Sequence, residues 1–168
     1  GFSLQLKNAT FSVDENLFGA EIGTLETSTD HNLSNFSLYI VGTYDDNWDV
    51  IDSNLFEIGS DGTIRLKAGI SLDAETSSTY NLRIYIVDQA KDQINQQYIT
   101  VNVNNINEAP SFALSNRVVD GNAAAGTVIG VLSSTDLDGD DVTFTLSGSD
   151  AGMFVIDSAT SEIRFADG

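Results

Sequence analysis

The segment VDENLFGAEIGTL at residues 13–25 returns as VDGNAAAGTVIGVL at 119–132, and FEIGSDGTIRL at 56–66 returns as FVIDSATSEIRF at 154–165. The offset is 106 residues from Val13 to Val119 and 107 from Gly19 to Gly126. Self-similarity at one long spacing means that a single folding unit is used twice, so a unit of roughly 100 residues must close its own hydrophobic core. The second copy reaches its EIRF stretch and stops at Gly168, where the first copy still has about 40 residues carrying its last two strands. The expected division is a complete unit over 1–108 and a C-terminally incomplete one over 109–168.

The unit reads as all-β. Apolar residues alternate with polar ones in FSLYIV (Phe36, Leu38, Ile40), YNLRIYIV (Tyr80, Leu82, Ile84, Ile86), ITVNV (Ile99, Val101, Val103) and VTFTL (Val142, Phe144, Leu146). That period of two is the signature of half-buried strands. Turn clusters such as GSDG at 59–62 and DLDGDD at 136–141 separate them, with side chains that bond their own backbone and tolerate left-handed conformations. About seven strands fall between Leu4 and Val103, the number expected of a Greek-key β-sandwich. The second copy is expected to hold about five of these seven and so to leave an edge and one side of its core uncovered.

Charge narrows the partners. With 7 Lys and Arg against 25 Asp and Glu the formal charge is −18, which repels phosphate backbones and anionic membrane surfaces, so nucleic acid is excluded as a partner. No run approaches the roughly 20 apolar residues of a membrane span, so no membrane insertion is expected. The opening GFSLQLKNATFSV lacks the charged start and apolar centre of a signal peptide, as expected for a piece of a longer soluble product. Cysteine is absent, which removes disulfides as staples and thiolates as nucleophiles or zinc ligands.

Five short motifs stand in fixed order: VDEN around Glu15, SLDAE at 71–75, YIVDQA at 85–90, NNINEAP at 104–110 with the only proline of the chain, and DLDGD at 136–140. In order and spacing they resemble the PEN, LDRE, AxD, DxNDNxP and DxDxG motifs of cadherin repeats, and the NINEAP wording is similar to the cadherin-like repeats of large bacterial surface proteins. The resemblance implies tandem β-sandwiches of the cadherin/Ig-like type, joined by calcium and forming part of an extracellular or cell-surface adhesion protein. The donor chemistry agrees, since calcium takes 6–8 hard oxygen ligands at roughly 2.3–2.6 Å and several carboxylates and carbonyls must converge from loops to supply them.

Carried over motif by motif, the resemblance places Glu15, Asp73 and Glu75 at the lower pole of the first repeat and brings Glu108 from the linker. Asn107, Asp136 and Asp138 bind a further ion on the second repeat's side, and the carbonyls of Ile106 and Ala109 fill remaining positions. Asn105 replaces the family's first linker aspartate and Glu108 its later one, Ala74 replaces the arginine of LDRE, and the second copy ends before its own AxD position; two ions are therefore expected at the junction and a third is incomplete. Pro110 fixes φ and keeps the residue before it extended, so 104–109 is stretched while its oxygens reach the metals. Calcium is expected to align the two units into a rod. Asp88 belongs to another junction, at the opposite pole with Asp30 and Asn32, and Gly121 stands in the second copy where the first has Glu15.

Other readings are weighed against this one. Taken singly, each motif is better explained by turn formation through Asp, Asn and Gly; it is the five in order that favour the calcium reading. An EF-hand loop starting at Asp136 puts Ser147 at its twelfth position, which rules it out. His31 is the only histidine and no GxSxG elbow is present, so a Ser–His–Asp enzyme is not supported. Asp73 and Glu75 as a glycosidase pair would need one protonated carboxyl, whereas calcium needs both ionised. No enzymatic activity is expected. NAT at 8, NLS at 32 and NFS at 35 are glycosylation sequons only in a eukaryotic secretory host, and the composition reads as bacterial. The competing function is a calcium-dependent carbohydrate-binding module, for which Trp48, Tyr44 and Tyr39 are the clustered aromatic candidates. Expected partners are other repeats of the same chain, a cell-surface protein or polysaccharide ligand, and self-association through the incomplete second repeat.

Overall fold

The computed structural model describes residues 4–28, 32–51 and 54–167. It divides into two compact units, Gly1–Ile106 and Asn107–Gly168.

The first unit contains β1 (Thr10–Asp14), β2 (Glu21–Thr24), β3 (Ser37–Tyr44), β4 (Phe56–Ile58), β5 (Thr63–Leu66), β6 (Thr79–Asp88) and β7 (Gln93–Asn104), with a 3₁₀ turn at Leu33–Asn35. One sheet runs β1-β7-β6-β3 and the other β2-β5-β4. β1 lies parallel to β7, and the remaining pairs are antiparallel. The alternation seen in the sequence explains the layering. Tyr80, Leu82, Ile84 and Ile86 of β6 and Ile99, Val101 and Val103 of β7 are buried in the same core as Ile22, Phe56, Ile64 and Leu66 of the other sheet. Two sheets that share one core form a β-sandwich, and each fully buried Leu or Ile contributes about 1.5–3 kcal/mol. Phe36, Leu38 and Ile40 pack half-buried against that core.

The second unit contains β8 (Ser111–Leu114), β9 (Val128–Thr135), β10 (Phe154–Ile156) and β11 (Glu162–Phe165), with a 3₁₀ turn at Ala151–Met153. They form one antiparallel sheet in the order β10-β11-β9-β8. Its register repeats that of the first unit. Glu21 and Gly23 of β2 face Arg65 and Ile64 of β5, and Val128 and Gly130 of β9 face Arg164 and Ile163 of β11, with a bulge at the same step. Phe56 opposite Leu66 likewise returns as Phe154 opposite Phe165. Leu6 bridges to Thr27 as Phe112 pairs with Ser134.

One expected strand does not form. VTFTL at 142–146 belongs to no sheet, although Val142, Phe144 and Leu146 alternate as a strand should. Its first-unit counterpart, β3, is held by a long ladder to β6, and among the described residues of the second unit nothing corresponds to β6 or β7. A strand needs a neighbour to satisfy its backbone groups, so the alternation alone did not suffice. Four strands rather than about five are present. The buried core is correspondingly small: Ile129, Leu132 and Ile163, against sixteen residues in the first unit.

The turn before β5 shows what the duplication preserves. Leu25 N–H donates to Gly62 O at 2.9 Å and Leu132 N–H to Ser161 O at 2.8 Å, and both acceptor residues are left-handed, Gly62 at φ +87° and Ser161 at φ +58°. A Cβ on Gly62 would also meet Leu33 Cδ1 at 3.1 Å and Leu25 O at 3.2 Å. Gly62→Ala is therefore expected to cost about 1–3 kcal/mol, whereas Ser161→Gly gains up to about 1 kcal/mol by relieving the same strain. Urea denaturation of the two variants checks the opposite signs.

Candidate metal centre

Three segments meet at one end of the first unit because β1 runs parallel to β7. As β1 leaves its sheet, Glu15 N–H donates to Asn104 O at 3.1 Å and Asn16 N–H to Leu72 O at 3.0 Å. Asn16 adopts φ +64°, so the chain reverses immediately after Glu15. The Glu15 side chain turns inward and its residue is only 2% exposed. Its Oε2 accepts the Ala74 N–H at 2.8 Å and its Oε1 the Ile106 N–H at 2.7 Å. One buried carboxylate thus ties the 72–76 loop and the start of the linker to the end of β1. Buried carboxylates require such charge-assisted partners, since desolvation is costly.

Around it the remaining oxygens are arranged by short-range bonds. Asp73 Oδ1 accepts the Glu75 N–H at 2.9 Å and the Thr76 N–H at 3.3 Å, while Oδ2 accepts the Thr76 hydroxyl at 3.0 Å. Hydrogen bonding from the Thr76 hydroxyl, then from Glu75 and the two backbone N–H groups, holds the Asp73 carboxyl below its ordinary value of 3.8, so it stays ionised through the neutral range. Glu75 is exposed and its Oε1 accepts Asn105 Nδ2 at 2.7 Å. Carboxylate oxygens of Glu15 and Glu75 lie within 4.8 Å of each other. Asn104 Nδ2 donates to Asp14 Oδ1 at 2.9 Å, a bond the motif reading did not foresee.

The second unit gathers its own set. Asp136 Oδ1 accepts the N–H groups of Asp138 at 3.0 Å and Asp140 at 3.1 Å, closing a loop in which Gly139 takes φ +77°. Asp138 Oδ2 accepts the Glu108 N–H at 2.8 Å, and Asn107 Nδ2 donates to Glu108 O at 3.4 Å. Asp138 therefore fixes the backbone at Glu108, two residues before Pro110 and next to Ala109.

Within the first unit, Asp88 stands apart from the Glu15 group. It ends β6 at the opposite end from Thr79, is buried, and accepts the N–H groups of Ala90 at 3.1 Å and Lys91 at 3.3 Å. Within the first unit it closes the β6–β7 turn. Of its expected companions, Asn32 caps the 3₁₀ turn by accepting the Ser34 N–H at 3.0 Å; Asp30, like His31, lies outside the described residues.

The donor set fits a hard cation. Every candidate side chain is a carboxylate or amide, and these suit calcium rather than softer metals. The Lys and Arg ion pairs sit elsewhere: Lys7 with Glu26, Arg65 with Glu21, Arg164 with Glu162. The aromatic candidates are arranged differently from expectation. Trp48, 56% exposed, packs on Tyr44 and Tyr98 with ring centroids 5.9 and 5.6 Å away and planes tilted by 41° and 72°. Tyr39 instead faces Tyr85 across the β3–β6 pair. The rings of Tyr44 on β3, Trp48 and Tyr98 on β7 are tilted against one another and do not form one flat platform. Tyr98 was legible, since it falls out of phase with buried Ile99 and so must face outward.

No family model matches the chain, and no curated protein matches it. Solved structures do. The chain superposes over 96% of its length on protocadherin gammaB7 EC3-6, described as a cis-dimer, with TM-score 0.57 and 17% identity, covering 38% of that chain. It covers 58% of human CDH23 EC21-23 with TM-score 0.63 and 22% identity over 98% of its own length, and 41% of Drosophila N-cadherin EC1-4 with TM-score 0.61 and 19% identity over 99%. The chain thus spans well under two thirds of each of these structures. The polypeptide has the fold of cadherin ectodomain repeats.

Proposed function

We propose that the chain is a calcium-binding, cadherin-like module of an extracellular or cell-surface adhesion protein, without enzymatic activity of its own. The single observation that carries this reading is the Glu15 carboxylate, buried and bonded at once to Ala74 N–H and Ile106 N–H, with the Glu75 carboxylate beside it. In this reading Glu15, Asp73 and Glu75 supply carboxylate oxygens, Asn105 turns its amide oxygen toward the ion, and the Ile106 carbonyl completes that side. The linker carries Asn107, Glu108 and Ala109 onward, and Asp136 and Asp138 are the further donors in the second unit. A bound cation supplies charge neutralisation: it offsets repulsion among carboxylates that otherwise oppose ordering of the linker.

The role of the chain's own residues is positional. Glu15 orients the linker start, Asp138 orients Glu108, and Pro110 keeps the residue before it extended. Bacterial surface proteins with tandem repeats are the proposed setting, and neighbouring repeats and a cell-surface protein or polysaccharide the proposed partners. The net charge of −18 keeps nucleic acid out of that set. No helix among the described residues is long and apolar enough to cross a membrane.

Amide hydrogen exchange tests the proposal at the linker itself. Exchange at Asn105, Ile106, Asn107 and Glu108 is expected to slow at least about tenfold when millimolar calcium replaces chelator, as a local opening is suppressed by binding. Equal exchange in both conditions would remove the linker from the site.

A further inference from the structure

An aromatic cluster stands on the outer face of the β1-β7-β6-β3 sheet. Alternation turns Tyr98 of β7 away from the core that holds Ile99, and Tyr44 ends β3 where the chain leaves the sheet. Gly42 leaves room for the Tyr44 ring to lie back along the strand: a Cβ there would meet its Oη at 2.9 Å and its Cε2 at 3.0 Å. The loop that follows is tightly closed. Asp45 N–H donates to Asp49 O at 3.0 Å, Trp48 N–H donates to Asp45 O at 3.1 Å, and Asp45 Oδ1 accepts the N–H groups of Asn47 and Asp49 at 2.9 Å each. This loop holds Trp48 at φ +63°, a conformation that bulky residues avoid, and yet leaves the residue exposed. Tyr44, Trp48 and Tyr98 meet with ring centroids 5.6–6.4 Å apart and planes tilted by 41–72°. Core packing does not account for a strained backbone that presents its indole to water.

We propose that this cluster is a docking site for an arginine side chain of a partner protein, its guanidinium held against the Trp48 and Tyr98 rings and its N–H groups shared with the Asp46 and Asp49 carboxylates. Charge identifies the occupant. Asp45, Asp46 and Asp49 flank the indole in one loop, Asp46 and Asp49 are exposed, and the chain carries a formal charge of −18, so a cation is drawn in from a distance and again at short range. Aromatic faces are electrically negative, so rings and carboxylates pull in the same direction. A guanidinium suits this better than an ammonium, because its plane stacks on a ring while its edge donates to carboxylates. The same sheet face already carries such an arrangement: Arg83, opposite Tyr98 in the β6–β7 register, has its guanidinium 5.2 Å from the Tyr85 ring centroid and donates to Gln96 Oε1 at 2.9 and 2.7 Å. Mutually tilted rings do not extend one face for a sugar, whereas a guanidinium needs only one ring face. This inference does not depend on calcium.

The probe is a capped Gly-Arg-Gly-Arg-Gly peptide added to the full 168-residue chain in chelator, so that the state of the Glu15 site has no bearing on the result. A saturable change in tryptophan fluorescence is expected, Trp48 being the only tryptophan. The same peptide with citrulline in place of arginine keeps the shape without the charge and should bind at least about fivefold more weakly. By calorimetry, Trp48→Gly, which also relieves the left-handed backbone, should weaken binding at least about fivefold, as should Asp46→Asn combined with Asp49→Asn; Tyr98→Leu serves if Trp48→Gly fails to fold. Absence of saturable binding, or equal binding of the arginine and citrulline peptides, overturns the proposal. So does unchanged affinity in Trp48→Gly, since the attraction would then belong to the net charge and not to the rings. A fluorescence response to cellohexaose but not to the arginine peptide would overturn it as well, making a polysaccharide the occupant.

Discussion

Replacing Glu15 with alanine is expected to destabilise the first unit by about 2–4 kcal/mol in the presence of chelator. The Ala74 and Ile106 N–H groups lose their acceptor, and a donor left unsatisfied costs about 1–3 kcal/mol where water cannot reach it. Ile106 lies at the surface, so water recovers part of its share and the total stays below the sum of two full penalties. Glu15→Gln keeps one carbonyl acceptor and should lose roughly half as much. Glu75→Ala removes an exposed side chain and in chelator should stay within about 0.5 kcal/mol of the parent. Urea denaturation followed through Trp48, the only tryptophan and a first-unit residue, separates the three. A Glu15→Ala variant as stable as the parent in chelator would show that the buried carboxylate is not a structural tie.

Calcium itself should raise the melting temperature. A ligand that binds only the folded state contributes RT ln(1 + [L]/Kd), about 2.7 kcal/mol per site at a hundredfold excess over Kd. For a unit of about 100 residues that corresponds to roughly 10–20 °C. Glu75→Ala should abolish most of the shift while leaving the chelator melting curve in place, whereas Glu15→Ala should lower the chelator melting curve as well. Magnesium at equal concentration should do much less, because it demands near-ideal octahedral geometry and gives up its waters reluctantly. The two glutamates touch the same site through different physics, and the paired conditions distinguish them.

Much of this was legible in the sequence because burial in a sandwich follows period two. Leu82, Ile84, Ile86, Ile99 and Val101 were in phase and are all fully buried. The alternation failed at 142–146, since ladder formation depends on a neighbour strand and not on the segment's own pattern. Within the site, the motifs identified the loops but not the bonds. That Glu15 is buried and ties Ala74 to Ile106 depends on β1 running parallel to β7, a tertiary fact no local pattern encodes. Asp136 and Asp45 each accept two nearby backbone N–H groups, yet only Asp136 sits in a loop that reaches the linker, through Asp138. Residue type alone therefore could not separate a turn former from a candidate ligand. Of the three clustered aromatic candidates, Trp48 and Tyr44 do meet, but their third partner is Tyr98 rather than Tyr39.

Calcium binding is read by calorimetric titration of calcium into the chelator-treated chain. Saturable heat is expected, with an affinity near the extracellular range of about 10⁻⁴–10⁻³ M or tighter, weakened at least about tenfold in Glu75→Ala, whose fold is expected to be intact. Heats indistinguishable from dilution up to about 5 mM calcium, several times the weak end of that range, would contradict it and leave Glu15 as a purely structural tie.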